Sequence, residues 1–127
     1  MNLTSDHGKA LLRISLSLLF LWFGVSQLYS PTEWTGFVPA QISSIISAGT
    51  IVMLNGALEI ILGLMLLSGI YVRFSALVLG LHLLPIALSM GYSSVAIRDL
   101  ALALATLSIS LIGPDNLTID KRKNQKL

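Results

Sequence analysis

The sequence predicts an all-α integral membrane protein, an antiparallel four-helix bundle with both its N and C termini in the cytoplasm. Three observations lead there. The 127-residue chain is 54% hydrophobic and 11% charged, with a mean hydropathy of +0.83, whereas soluble domains carry roughly 25% charged residues. Its apolar residues gather in four stretches, about 10–29, 47–67, 74–90 and 95–112, each near the ~20 residues that cross ~30 Å of hydrocarbon as a helix. Its lysines and arginines collect at alternate ends of those stretches. Helices are required because hydrocarbon offers no water to free backbone groups. Residues 1–127 therefore read as one multi-pass transmembrane domain in the cytoplasmic (cell) membrane, with 113–127 as a basic tail on the cytoplasmic side.

The first span follows Lys9 and Arg13, as the core of a signal peptide would. No small-x-small cleavage site follows in QLYSPTEW, and the run is long for a signal core, so an uncleaved span is expected. After it comes the longest connection, SPTEWTGFVPAQISSIIS, in which Pro31 and Pro39 break helix. Tyr29, Trp34 and Phe37 suit the headgroup region. Residues 40–47 are expected to lie along the membrane surface, as a covering loop or as a lid over an outward-facing pocket. The linker SGIYVR is short enough to make the second and third spans a tight antiparallel hairpin, and the turn GYSS after the third span is equally short.

Close approach between membrane helices requires small residues. The pairs at the right spacing are Ala76/Gly80, Ala87/Gly91 and Ala101/Ala105, with Gly56 and Gly63 sharing a face of the second span. Trp22, in mid-span, reads as a packing residue.

Orientation follows from the cations. Lys9, Arg13, Arg73, Lys121, Arg122, Lys123 and Lys126 fall on one side and only Arg98 on the other, which puts the termini inside. The sequons at Asn2 and Asn116 would then lie on the wrong side for glycosylation and read as chance matches. Arg13 and Arg73 read as snorkelling anchors.

The polar residues inside the spans carry the functional question. Asn55 and Glu59 sit one turn apart on the second span and share a face. His82 lies near the middle of the third span, and Arg98 and Asp99 open the fourth. An unpaired carboxylate at mid-membrane costs roughly 2.5–3.5 kcal/mol or more, so Glu59 should face the bundle interior. It could accept a hydrogen bond from His82, or stay protonated and bond Asn55 or a backbone carbonyl. Arg98 and Asp99 point about 100° apart round the helix. Asp99 continues the Ala103/Thr106/Ser110 stripe and is the inward member; Arg98 would then reach sideways to Asp99, Glu59 or Glu33. Similar stripes run through Arg13, Ser17 and Gly24, and through Ser75, His82 and Ser89. Asn55, Gln27, the serines and Thr106 also have a purely structural reading, as polar glue between helices. Asn55, Glu59, His82, Arg98 and Asp99 form the candidate ligand-binding or polar pocket; no catalytic residue can be singled out.

Other classes are excluded or weakened. The chain has no cysteine, which removes thiolate chemistry, iron–sulfur clusters and zinc–thiolate sites. The sequence pI near 9.2 comes largely from the tail KRKNQK, a topology signal and not a nucleic-acid surface. No ExxH-type ligand spacing appears, so no metal is expected. Proton conduction across the whole membrane lacks an acidic relay in the inner half. A small-solute transporter lacks an inverted repeat.

Three blocks carry a family resemblance: LRISLSLLFLWFGVSQL, NGALEIILGLMLLSGIYVRFSAL and IRDLALALATLSISLIGPD, which together run over about residues 11–115. In order and spacing the chain resembles the DoxX-like family of small four-helix membrane proteins, with Asn55, Glu59, Arg73, Arg98 and Asp99 as the matching polar positions. The resemblance implies association with redox chemistry, because relatives are linked to quinol oxidase and thiosulfate:quinone oxidoreductase complexes. A quinone is the cofactor it suggests. The expected partners are membrane lipid, a quinone, and either further copies of the chain or a partner membrane or redox subunit. Two functions follow as expectations: a quinone- or lipid-associated redox subunit, or a non-enzymatic membrane scaffold or assembly factor whose polar stripe grips another protein's helix.

Overall fold

A computed structural model describes residues 3–89 and 91–121; Asn2, Met90, Arg122, Lys123 and Lys126 lie outside the described residues. The chain runs through α1 (Leu3–Tyr29), two 3-10 turns (Pro31–Glu33 and Thr35–Phe37), α2 (Ala40–Ser43), α3 (Ala48–Ser68), α4 (Val72–Ser89) and α5 (Ser94–Ile112). The helices α1, α3, α4 and α5 are long and apolar enough to cross a membrane, and no strand occurs among the described residues. The all-α four-helix expectation holds. One boundary differs: α1 begins at Leu3, not near residue 10, because the polar turn before the apolar run continues as helix.

Side-chain caps and glycines mark the helix ends. Ser47 and Ser93 each accept a bond from the backbone N–H three residues on, at Thr50 and Ala96, the usual N-cap geometry. Gly69 ends α3 in the left-handed conformation at φ 84°, where only glycine is at ease. Pro85 inside α4 lacks the N–H that the Leu81 carbonyl would otherwise receive.

The bundle is two tight pairs, α1 with α3 and α4 with α5, and the α3–α4 contact is much looser. This corrects the expected tight hairpin of the second and third spans: a short linker brings helix ends together, but small side chains decide which helices touch along their length. A Cβ on Gly24 would lie 2.8 Å from the Gly56 carbonyl oxygen, and one on Gly56 would lie 2.8 Å from that of Gly24. Gly63 packs on Leu21, and Gly80 on Leu107. Two expected small-residue pairs are only half used: Ala87 is buried but Gly91 meets open space at φ 68°, and Ala105 packs on the core but Ala101 faces outward. Trp22 also points outward, 64% exposed, so it does not pack inside.

The end of the bundle that carries both chain termini is tied by charge. Arg13 is 2% exposed and no snorkelling anchor. Its Nε donates to Asp115 Oδ2 at 2.7 Å, and its Nη1 donates to the Leu66 and Leu67 carbonyls at 2.9 and 2.6 Å. One guanidinium thus neutralises a buried acid and caps the C-terminus of α3. Arg73 caps the C-terminus of α5, its Nη1 donating to the Ser110 and Leu111 carbonyls at 3.0 Å each. Residues 113–121, the described part of the segment expected as a basic tail, fold back across this end. The two carboxylate oxygens of Asp120 accept from the N–H groups of Tyr71, just before α4, and of Val72, its first residue, at 2.9 Å each. Thr118 is buried over Gly69, where a Cβ would come within 2.5 Å of it.

Gly56→Ala should lower the unfolding midpoint in detergent by the equivalent of about 1–3 kcal/mol, because the new methyl group meets backbone. Gly8→Ala, with nothing within 4 Å, should be neutral or stabilising by about 0.5–1 kcal/mol. Asp115→Asn should cost about 3–5 kcal/mol, since it leaves the Arg13 charge buried without its counter-ion. Thermal unfolding followed by circular dichroism would measure all three.

Candidate functional site

At the opposite end of the bundle, where the long loop lies, the two helix pairs enclose a cavity of about 520 Å³. Small residues draw α1 onto α3 and α4 onto α5, so the unfilled space falls in the seam between pairs. The 3-10 turns and the start of α2 contribute Glu33, Trp34, Phe37 and Ile42 to its lining.

Asn55 is the hub of its polar wall. Its Nδ2 donates to Gln27 Oε1 of α1 at 2.8 Å and to Glu59 Oε1 at 3.1 Å. Gln27 Nε2 also donates to Glu59 Oε2, at 3.4 Å. His82 of α4 bonds Asn55 Oδ1 through its Nε2. Three helices are therefore joined through one amide. Glu59 is buried at 5% exposure and takes its bonds from Asn55 and Gln27. The expected bond from His82 to Glu59 is not made: Glu59 accepts from Asn55, and His82 bonds Asn55 instead, because the amide stands between them. Asp99 is largely covered, with 17% of its side chain exposed, whereas the Arg98 side chain is 65% exposed and reaches sideways to Asp99 at 3.9 Å. The inward reading of Asp99 and the outward reading of Arg98 agree with this placement.

Asn55, Glu59, His82, Arg98 and Asp99 all line the same cavity. Sequence reasoning left Gln27 out of the candidate pocket, yet it is 6% exposed, lines the cavity and bonds both Asn55 and Glu59. It read Trp34 and Phe37 as headgroup aromatics, yet they line the cavity beside Phe23. The signal available was their spacing near the polar cluster once the loop folds over, which the sequence does not reveal. Asp115 was missed altogether; Arg13 within an apolar run was the sign that some acid must meet it.

The cavity can offer one amide N–H of Gln27, the Arg98 guanidinium, two carboxyl groups and an imidazole to one end of a ligand, and aromatic and aliphatic side chains to the rest. Its lining holds three carboxyl residues, Glu33, Glu59 and Asp99, against one guanidinium, Arg98. Among the described residues no group of three or more His, Cys, Asp or Glu side chains could hold a metal ion.

Residues 8–91 match the model of the DoxX family. No curated protein and no solved structure matches the chain significantly.

Asn55→Leu should destabilise the fold more than Gln27→Leu, because it strands three partners against two. Each lost satisfaction of a buried group is worth about 1–3 kcal/mol. Thermal unfolding in detergent would rank the two variants, and a reversed order would show that Asn55 is not the hub.

Proposed function

The chain belongs to the DoxX family, and on that premise we propose that it binds a quinone, or a similar neutral ring-headed lipid, as a redox subunit of the cell membrane. The observation that carries this reading is the cavity in the seam, apolar and aromatic over most of its wall and hydrogen-bonding at one side. Its volume of about 520 Å³ lies within the ~300–1,000 Å³ of small-molecule sites.

A quinone needs apolar space for its ring substituents and donors for its carbonyl oxygens. Gln27 keeps one amide N–H after its bond to Glu59, and the Arg98 guanidinium lines the same cavity; these are the donors on offer. Reduction to the quinol takes up two electrons and two protons, and Glu59 and Asp99 are carboxyl groups placed to exchange protons with the ring oxygens. The chain has no cysteine and so no dithiol or iron–sulfur route for electrons; they would come from a partner subunit or a second cofactor. The excess of carboxyl groups over cations in the lining supports a neutral ligand over a fatty acid or an anionic phospholipid.

The scaffold alternative fits less well. Gln27 and Glu59 are buried and bonded to one another, so another protein's helix would have to open the bundle to reach them. The outward surface of the spans is instead rich in large apolar residues such as Leu18, Leu64, Leu81 and Leu104. With Lys9, Arg13 and Arg73 at the terminal end, the positive-inside rule puts that end in the cytoplasm and the cavity toward the outer leaflet.

Mass spectrometry of an organic extract, with mildly purified wild type beside Glu59→Gln, tests the reading. A quinone at near-stoichiometric amount in the wild type, reduced several-fold in the variant, is the expected result. Bulk lipid alone from both folded proteins would overturn it.

A further inference from the structure

The polar wall can recognise the edge of a ring, but its amides, carboxyl groups and imidazole give no flat apolar surface for the ring's face. That surface lies in the connection between α1 and α2. Trp34 lines the cavity with Phe23 and Phe37, and the three belong to one aromatic group that continues to Trp22, which meets Phe23 edge to face at 5.2 Å on the outer side. Phe23 and Trp34 meet edge to face with ring centroids 5.4 Å apart, and Trp34 and Phe37 meet at 5.7 Å and a tilt of 38°. The indole is also held at its polar edge: Nε1 donates to Ser26 Oγ of α1 at 3.2 Å. An aromatic used only as a headgroup anchor would turn its N–H toward water and lipid. Here the N–H is turned back onto a helix, so the ring is positioned by the protein at the cavity wall.

We propose that Trp34 is the stacking platform of the site, the residue that takes the face of the ligand's ring while Gln27 and Arg98 donate to its oxygens. This rests on the reading of the cavity as a quinone site and adds the element that selects a planar ring over a flexible acyl chain. Offset stacking on an indole depends on a planar partner, and an aliphatic ligand of the same volume gains nothing from it. Phe23 and Phe37 keep the indole from rotating away, and the bond to Ser26 fixes its distance from α1. The role is one of binding and specificity; no bond is made or broken at Trp34.

The two tryptophans make this directly measurable. Trp22 faces outward at 64% exposure, so in a Trp22→Phe protein the emission reports Trp34 alone. Quinones quench indole emission on contact. The probe is a decyl-substituted benzoquinone, titrated into detergent-purified protein, with bound quinone measured independently by equilibrium dialysis against empty micelles.

The expected result is saturable quenching of Trp34 whose midpoint equals the dissociation constant from dialysis. In a Trp34→Phe protein, Trp22 should instead show the linear quenching of a micelle-exposed indole. Trp34→Leu should weaken binding by up to about tenfold, the order of one aromatic contact, whereas Trp34→Phe, which keeps a ring, should stay within about threefold of wild type. Binding of decanol should be unchanged in both variants. If dialysis shows saturable quinone binding but Trp34 emission does not follow it, or Trp34→Phe loses as much as a folded Trp34→Leu, the platform is overturned and the cavity reading stands. If folded wild-type protein binds no quinone above empty micelles, both are overturned.

Discussion

The buried ion pair between Arg13 and Asp115 is the constraint on which the rest of the structure depends. A guanidinium inside an apolar helix cannot be left to the lipid, and here it is met by an acid from beyond α5 and by the free carbonyls ending α3. That arrangement pulls the segment after α5 across the terminal end of the bundle. Asp120 can then cap α4, and Thr118 can cover Gly69. All four long helices are thereby fixed at one end by groups that no bilayer could satisfy. With that end fixed, the other can remain incompletely filled without the helices separating.

Packing in hydrocarbon explains where the unfilled space falls. Lipid tails are as apolar as leucine, so burying leucine between helices gains little, and contact follows the residues that let backbones approach. Gly24 against Gly56, and Gly80 against Leu107, bind the helices in pairs. None of the glycines within α3 or α4 makes its close approach to the other of these two helices. The seam between the pairs is then the place where polar side chains can gather without displacing close packing, and it is where Gln27, Asn55, Glu59 and His82 meet.

Much of the fold was legible in the sequence. Apart from the start of α1, the expected ends of the spans fall within two residues of those observed, because length and hydropathy are local properties. The shared face of Asn55 and Glu59, and the choice of Asp99 over Arg98 as the inward residue, were also readable, since both follow from helical phase. The partners were harder. Arg13 and Asp115 stand 102 residues apart, and nothing in either neighbourhood specifies the other. Ala101/Ala105 and Ala87/Gly91 had the right spacing, but spacing says that residues share a face, not whether that face meets protein or lipid. The aromatic wall was hidden for a related reason: Trp34 and Phe37 belong to a loop whose course is set by what it covers.

The amide at the centre of the polar cluster also fixes a direction. Asn55 spends its nitrogen on the oxygens of Gln27 and Glu59, which leaves only its oxygen for His82. An oxygen can only accept, so the imidazole must carry a proton on Nε2, and in the neutral ring Nδ1 is left with its lone pair. An amide that joined its neighbours symmetrically would leave the tautomer open. This one passes the same polarity from α4 through α3 to the carboxyl of Glu59, so that every dipole in the chain points the same way. The cluster is thus a one-way row of hydrogen bonds, with the Nδ1 lone pair of His82 at the α4 end and the accepting carboxyl of Glu59 at the other.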